Sequence, residues 1–141
     1  MSQGEAPLGL IQGRGCAVRR AADGMLRALG ATQMTLRLAN PSSGDTRSQL
    51  GLEPPPAEDV QIVPALIESL APQANGKRRY EIIVSAKALH PVAESHGVVD
   101  IPTWLLQAQG ILHDNRLLRV DSVRVDRFAG LEYLYHITAT E

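Results

Sequence analysis

Four histidines and a single cysteine are the side chains of this 141-residue chain best suited to metal binding and to acid–base or nucleophilic chemistry. No two of the histidines, His90, His96, His113 and His136, stand four residues apart, the spacing that places two metal ligands on one helix face. We therefore predict no metal site and no bound cofactor. We interpret His136, which falls on a predicted strand, as a surface or interface residue rather than a general base.

The residue types of a serine-hydrolase triad also occur, as Ser85, His90 and Asp100. The Gly-x-Ser-x-Gly turn that exposes such a serine is missing, and an arbitrary Ser, His and Asp occur in most chains of this length. Cys16 has arginine neighbours, but no histidine can be assigned to it as a base. We interpret it as a packing residue at a helix start. We predict no catalytic residue and expect that the protein is not an enzyme.

Composition limits the classes of protein to consider. Hydrophobic residues make up 44% of the chain, enough for one core, and the length is that of one ordinary domain. The formal net charge of −1 argues against a general nucleic-acid binder, and one cysteine excludes an intrachain disulfide. No apolar run approaches the ~20 residues that span a bilayer, and the first residues lack a signal-peptide pattern. We therefore expect a protein that is neither secreted nor inserted in a membrane.

Arginines are concentrated near the N-terminus, where five of them meet a single acid, Asp23, between residues 14 and 37. The planar guanidinium binds carboxylates and phosphates across interfaces. We therefore assign a subunit interface to four residues of the helix predicted there: Arg19, Arg20, Asp23 and Arg27. A solvated helix face explains the same residues equally well.

The N-terminal half is predicted to contain an arm, a helix, a strand and a loop. Residues 1–15 are rich in glycine and are predicted to form an extended arm, while residues 16–141 form a single β-rich domain. Apolar residues recur at helical spacing over residues 16–29, and residues 34–38 alternate as in a strand. Residues 40–59, rich in proline and polar side chains, are predicted to form a long loop. Its acidic members are Asp45, Glu53, Glu58 and Asp59.

The middle of the chain carries further strand, turn and cap signals. Residues 60–63 predict a strand that Pro64 interrupts at an edge or a bend, and residues 65–70 continue it or form one helical turn. Asn75-Gly76 predicts a hairpin turn that leads into a strand over residues 79–85. Two N-caps and the helices that follow them are predicted: Ser85 before a helix from Ala86 that Pro91 limits or kinks, and Asp100 before a helix over residues 102–109.

The last thirty residues alternate polar and apolar positions most regularly and predict a β-meander. The predicted turns lie at residues 113–115 and 126–130, and the longer strands at residues 117–125 and 131–139. One face of the final strand is predicted to be core: Leu131, Tyr133, Tyr135, Ile137 and Ala139. Cross-strand ion pairs are predicted between two sets of meander residues: Arg116, Arg119, Arg124 and Arg127 with Asp114, Asp121 and Asp126. The predicted fold class is mainly β with short helices, a small β-barrel or sandwich with an N-terminal helix.

Two segments resemble a known family. Residues 20–30, Arg-Ala-Ala-Asp-Gly-Met-Leu-Arg-Ala-Leu-Gly, followed by Met-Thr-Leu-Arg-Leu at 34–38, are similar to the helix-then-strand opening of small head-tail connectors of tailed phages and prophages. The closing stretch resembles their terminal hairpin, with Asn-Arg-Leu-Leu-Arg-Val-Asp-Ser-Val at 115–123 and Phe-Ala-Gly-Leu-Glu-Tyr-Leu-Tyr-His-Ile at 128–137. The similarity covers about half the chain and consists of polarity and turn patterns, not catalytic signatures.

The resemblance implies a structural head-closure, or stopper-like, protein of the virion neck, assembled in the cytoplasm of a bacterial host. Such proteins form a homo-oligomeric ring between the portal or adaptor and the tail proteins, and DNA passes through the ring without sequence-specific contacts. The arm and the arginine-bearing helix are then expected at subunit interfaces, and the acidic loop toward the channel or the next ring.

Other functions stay open. The arm before Cys16 and the helical insert at residues 86–109 exceed what a minimal connector barrel needs, so a tail-completion or tail-terminator protein is an alternative. A small cellular ligand-binding β-barrel is another. A concave pocket with converging polar groups would favour the ligand-binding protein, whereas a ring subunit is expected to have a barrel filled by side chains.

Overall fold

A computed structural model describes residues 5–39 and 57–141, with side chains from Arg14 onward. These residues form three helices and six strands. The helices are α1 (Glu5–Ala28), α2 (Ala86–Ser95) and α3 (Ile101–Gln107). The strands are β1 (Thr32–Ala39), β2 (Ala57–Leu70), β3 (Arg79–Ser85), β4 (Gly110–His113), β5 (Arg116–Phe128) and β6 (Leu131–Thr140).

The strands form one closed antiparallel barrel in the order β1-β2-β3-β6-β5-β4. Strand β1 closes it by pairing with β4, where Thr35 lies opposite Leu112 and Arg37 opposite Gly110. The predicted fold class is therefore confirmed, and of the two architectures considered the barrel is the one observed. The predicted C-terminal meander is also confirmed, because β4, β5 and β6 pair in succession.

Both turns of the meander consist of two residues with positive φ. Asp114 and Asn115 have φ of 50° and 62°, and Ala129-Gly130 have 51° and 78°. Such turns match the twist of the strands that they join. The second turn is shorter than the predicted 126–130, because pairing with β6 continues as far as Phe128.

The barrel interior is filled by side chains. Tyr135, Ile137 and Ala139 of β6 are buried there, as predicted. The prediction is wrong for Leu131 and Tyr133, which are only partly buried, and Tyr133 packs instead with the α1 cluster. The largest fully buried side chains of the interior cluster are Met34, Leu36, Ile62, Ile82, Val84, Leu89, Leu105, Ile111, Leu118, Tyr135 and Ile137. The opposite face of β6 is covered too, because Leu134 packs against α1. The prediction of a single core face on this strand is therefore incomplete.

Helix α1 begins at Glu5, so the predicted extended arm is wrong for residues 5–15. The glycines that suggest an arm have a packing role in at least one case. A Cβ on Gly15 would lie 2.4 Å from Leu131 Cδ1, so glycine lets the helix approach the β5–β6 hairpin closely. Residues 1–4 lie outside the described residues.

The end of α1 follows the sequence prediction. Gly30 has φ of 83°, its N–H donates to the Arg27 carbonyl at 3.1 Å, and the Ala31 N–H donates to the Leu26 carbonyl at 3.0 Å. These two bonds form a Schellman motif, which satisfies carbonyls that the helix itself cannot.

Both predicted N-caps are present. The Ala88 N–H donates to the Ser85 hydroxyl at 3.2 Å, and the Thr103 N–H donates to the Asp100 carboxylate at 3.3 Å. Helix α2 continues through Pro91 to Ser95. Helix α3 ends two residues before the predicted limit, because the Gln109 N–H already donates to the Arg37 carbonyl of β1.

Strand β2 confirms one prediction and corrects another. Residues 65–70 continue the strand past Pro64, which is one of the two predicted alternatives, and the interruption at Pro64 is a register shift in the pairing with β1 between Ile62 and Ala65. The strand also begins at Ala57, so the predicted loop at 40–59 is wrong for its last three residues. Residues 40–56 lie outside the described residues.

Candidate functional site

Two of the predicted interface residues, Asp23 and Arg27, form a hydrogen-bonded network within the chain in which the carboxylate is buried and the guanidinium is exposed. Asp23 of α1 is 5% exposed, and its carboxylate accepts hydrogen bonds from the Ser85 hydroxyl at 2.6 Å and from Arg27 Nε at 3.1 Å. Burial acts to raise the pKa of Asp23, but the bonds from Ser85 and Arg27 outweigh it and leave the pKa below its ordinary value. The carboxylate therefore ties α1 to the junction of β3 and α2.

Arg19 is also engaged within the chain. Its Nε donates to the Glu132 carbonyl oxygen at 2.6 Å, and one of its terminal nitrogens lies 3.5 Å from the Glu132 carboxylate. Arg20, one residue on, is exposed and makes no ion pair within the described residues. Of the four residues assigned to an interface, Arg20 is thus the one whose charged group stays available to a partner.

The acidic residues predicted to face a channel or ring separate into two groups. Asp45 and Glu53 lie outside the described residues. Glu58 and Asp59 belong to β2 and pair within the chain, with Glu58 3.3 Å from His96 Nε2 and Asp59 2.9 Å from Arg37 Nε. The Arg37 hydrogen bond lowers the pKa of the Asp59 carboxyl.

A polar cleft lies between α2, the loop into α3, and the β5–β6 hairpin. Its volume is about 370 Å³. At its base the His90 Nε2 and Tyr135 hydroxyl are 2.7 Å apart, and the two rings are tilted at 56° with centroids 5.7 Å apart. Its charged lining residues are Glu94, Asp100, Arg127 and Glu132.

Both members of the His90–Tyr135 pair are uncharged at neutral pH. Burial, with a smaller contribution from Arg19, lowers the pKa of His90. Burial, together with Glu132, raises the pKa of Tyr135 to about 12. The pair is therefore a hydrogen bond between two neutral side chains at the base of the cleft.

A second hollow, of about 470 Å³, runs between α1 and α2, and we call it the α1–α2 groove. It is lined by Cys16, Arg19 and Arg20 of α1 and by Ala86, Lys87, His90, Pro91 and Glu94 of the β3–α2 segment. The groove and the cleft share His90 and Glu94. The sequence prediction missed both hollows. Because a buried tyrosine usually has a hydrogen-bond partner, the predicted burial of Tyr135 indicates that its hydroxyl is bonded to another group. The residues near Tyr135 in the sequence do not identify that partner as His90.

The residues of the nominal Ser-His-Asp triad have different partners. Ser85 bonds to Asp23, His90 to Tyr135 and Asp100 to Thr103. Cys16 is exposed, which corrects the packing role predicted for it.

His136 is also placed differently from the prediction. Its side chain is only 14% exposed, and its Nε2 lies 2.7 Å from the Asp126 carboxylate and its Nδ1 3.3 Å from that of Glu81. It is thus held between carboxylates of β3 and β5 and is not a surface residue.

The four meander arginines all pair with acids, but none makes the predicted cross-strand pair with an aspartate. Arg119 and Arg124 each pair with an aspartate two residues later on β5, at 3.1 and 3.8 Å. Arg127 pairs across the hairpin with Glu132 at 3.7 Å, and Arg116 pairs with Glu141. The β5 bulge after Val120 changes which side chains are neighbours.

Within residues 5–39 and 57–141, no group of three or more His, Cys, Asp or Glu side chains is arranged to hold a metal ion. None of the described helices combines the length and the apolar character needed to cross a bilayer. Comparison with protein-family models, with curated proteins and with solved structures finds no match for this chain.

Proposed function

We propose that this protein is a structural subunit of a tailed-phage neck, a head-closure connector that forms a ring between the portal and the tail and helps to retain or pass DNA. The observation that carries the proposal is the closed barrel filled by side chains, with α1 packed on its outer face. A barrel whose interior is packed with side chains is suited to a rigid building block.

The segments that resemble connectors support the same function. Residues 20–38 form the end of α1, a tight turn and β1, and residues 115–137 span the β5–β6 hairpin. Their helix-then-strand and hairpin structures agree with the resemblance, which itself rests on sequence patterns.

Native mass spectrometry of the purified protein, alone and mixed with the proteins encoded beside it, tests the proposal. We expect a closed ring, or a monomer that joins a ring on the surface of a portal, adaptor or tail protein. A monomer under all of these conditions would contradict the proposal.

The polar cleft favours a second candidate, a small-molecule-binding protein. Its converging groups, His90, Tyr135, Arg127 and Glu132, are those expected of a ligand site. If the protein stays monomeric, a thermal-shift screen of polar metabolites tests this candidate, and a compound that raises the thermal midpoint supports it. A hit counts only if Tyr135→Phe, which removes the hydroxyl, weakens it.

A further inference from the structure

We infer that the α1–α2 groove is a docking site for an acidic segment of a partner protein, one that presents a carboxylate beside an apolar side chain. The inference rests on the groove alone and does not require the chain to form a ring. It assigns a partner chemistry to a surface formed by two helices that are distant in sequence.

The shape and lining of the groove favour a peptide over a small anion. Its lining includes the apolar side chains of Cys16 and Pro91, and its volume of about 470 Å³ accommodates several side-chain groups. An inorganic anion would leave this apolar surface uncovered, whereas a peptide side chain would bury it.

The charges that line the groove indicate that the partner group is negatively charged. In the described residues seven arginines have a carboxylate within ion-pair distance: Arg19, Arg27, Arg37, Arg116, Arg119, Arg124 and Arg127. Arg20 and Lys87, on opposite walls of the groove, have none there. The other cations without such a partner in the described residues do not line the groove. Two available cations facing one hollow complement a carboxylate.

The other titratable groups near the groove determine at which end a partner carboxylate is favoured. Asp23, which is close enough to Lys87 to feel its charge, is already bound by Ser85 and Arg27. His90 is neutral, and Glu94 adds negative charge where the groove meets the cleft. A partner carboxylate is therefore favoured beside Arg20 and Lys87 and disfavoured at the Glu94 end.

The single cysteine makes this site directly testable, because Cys16 is exposed and lines the groove. The full-length protein is equilibrated, under mildly reducing conditions, with two disulfide probes in equal amounts. Both carry the same leucine-like body, and one ends in a carboxylate and the other in a carboxamide. Intact-protein mass spectrometry then gives the ratio of the two adducts.

We expect the carboxylate adduct to exceed the carboxamide adduct by about tenfold, the effect of one charge-assisted contact. In the double variant Arg20→Gln, Lys87→Gln we expect a ratio near one. Circular dichroism and the thermal midpoint establish that this variant is folded.

A shifted thiol provides the matched control. In Cys16→Ser, Ala17→Cys the thiol moves one residue along α1 to an exposed position that does not line the groove. We expect no preference there. Three results would each overturn the inference: equal capture of both probes by the native protein, an unchanged preference in the double variant, or the same preference from position 17. The inference would also be overturned if Cys16 reacts with a general thiol reagent but captures neither probe.

Discussion

Asp23 shows how one side chain on a predicted surface becomes a structural anchor. Its position among arginines predicts a subunit interface, yet its carboxylate is 5% exposed and accepts bonds from Ser85 and Arg27. Ser85 also accepts from the Ala88 N–H, so one chain of bonds connects α1, the end of β3 and the start of α2. A buried charge held this way stabilises the fold as long as it stays ionised.

We predict that Asp23→Asn lowers the free energy of unfolding at pH 7 by about 2 kcal/mol, because hydrogen bonds to a buried charge are lost. The folded-state pKa of Asp23 lies below its ordinary value, so its contribution is complete above the unfolded pKa of about 4 and is lost as pH falls through the folded pKa. Urea unfolding from pH 7 to pH 2.5 therefore measures a difference between wild type and variant that shrinks below about pH 4.

Asp59→Asn is the matched control, because Asp59 also pairs with an arginine and also has a lowered pKa, but on an exposed surface. We expect a smaller effect there, because solvent screens exposed pairs. A difference for Asp23→Asn that stays constant from pH 7 to pH 2.5 would show that its charge does not stabilise the fold.

At the scale of elements, the closure of the barrel depends on a close approach between β4 and β5. Gly110, the first residue of β4, has φ of 155°, and a Cβ there would lie 2.4 Å from the Leu118 carbonyl oxygen. A backbone atom cannot move aside as the end of a flexible side chain can. Only glycine therefore fits where β4 pairs with both β1 and β5.

We predict that Gly110→Ala destabilises the protein by about 2–4 kcal/mol, because it adds both backbone strain and a clash. Gly24→Ala is the control, because it is expected to change the free energy of unfolding in the opposite direction. Gly24 lies inside α1, and a methyl group added there would have no heavy atom of another part of the chain within 4 Å, so alanine is expected to stabilise by up to about 1 kcal/mol. Urea unfolding of the two variants tests the pair, and a Gly110→Ala protein as stable as wild type would contradict the role given to closure.

At the scale of the whole molecule, the residues on the outer surface distinguish the two proposed functions, a ring subunit and a small-molecule-binding protein. Helix α1 covers one outer face of the barrel through Ala22, Leu26 and Leu134, and the α1–α2 groove lies beside it. Most charged groups of the predicted interface are used within the chain, which leaves Arg20 as its member with an available charge. An interface between subunits would therefore depend on Arg20 more than on Arg27.

We predict that Arg20→Ala reduces the fraction of ring in native mass spectrometry while changing the free energy of unfolding by less than about 0.5 kcal/mol. Arg27→Ala is expected to do the reverse, with stability reduced by about 1 kcal/mol and assembly retained, because Arg27 supports Asp23. Lys77→Ala, which removes one exposed positive charge from the β2–β3 turn, controls for net charge. If Arg20→Ala and Lys77→Ala assemble alike, Arg20 is not at the interface.

Much of the local structure was predictable, because caps and turns depend on a few neighbouring residues. Ser85 and Asp100 cap their helices, Gly30 ends α1, and Asn75-Gly76 turns the chain between β2 and β3. The alternation of β6 likewise placed Tyr135 and Ile137 in the core. These preferences are properties of dihedral angles and short-range hydrogen bonds, so the sequence determined them by itself.

The tertiary structure alone decided which distant groups meet. Arg19 binds a residue 113 positions away, Asp23 one that is 62 away, and His90 one that is 45 away. Strand alternation is the same in a barrel and in a sandwich, so closure through β1 and β4 could not be predicted from it either. Contacts of this kind depend on how complete elements pack and not on the residues beside them in sequence. For that reason the sequence determined the turns, caps and core alternation, and the fold decided the closed barrel, the cleft and the groove.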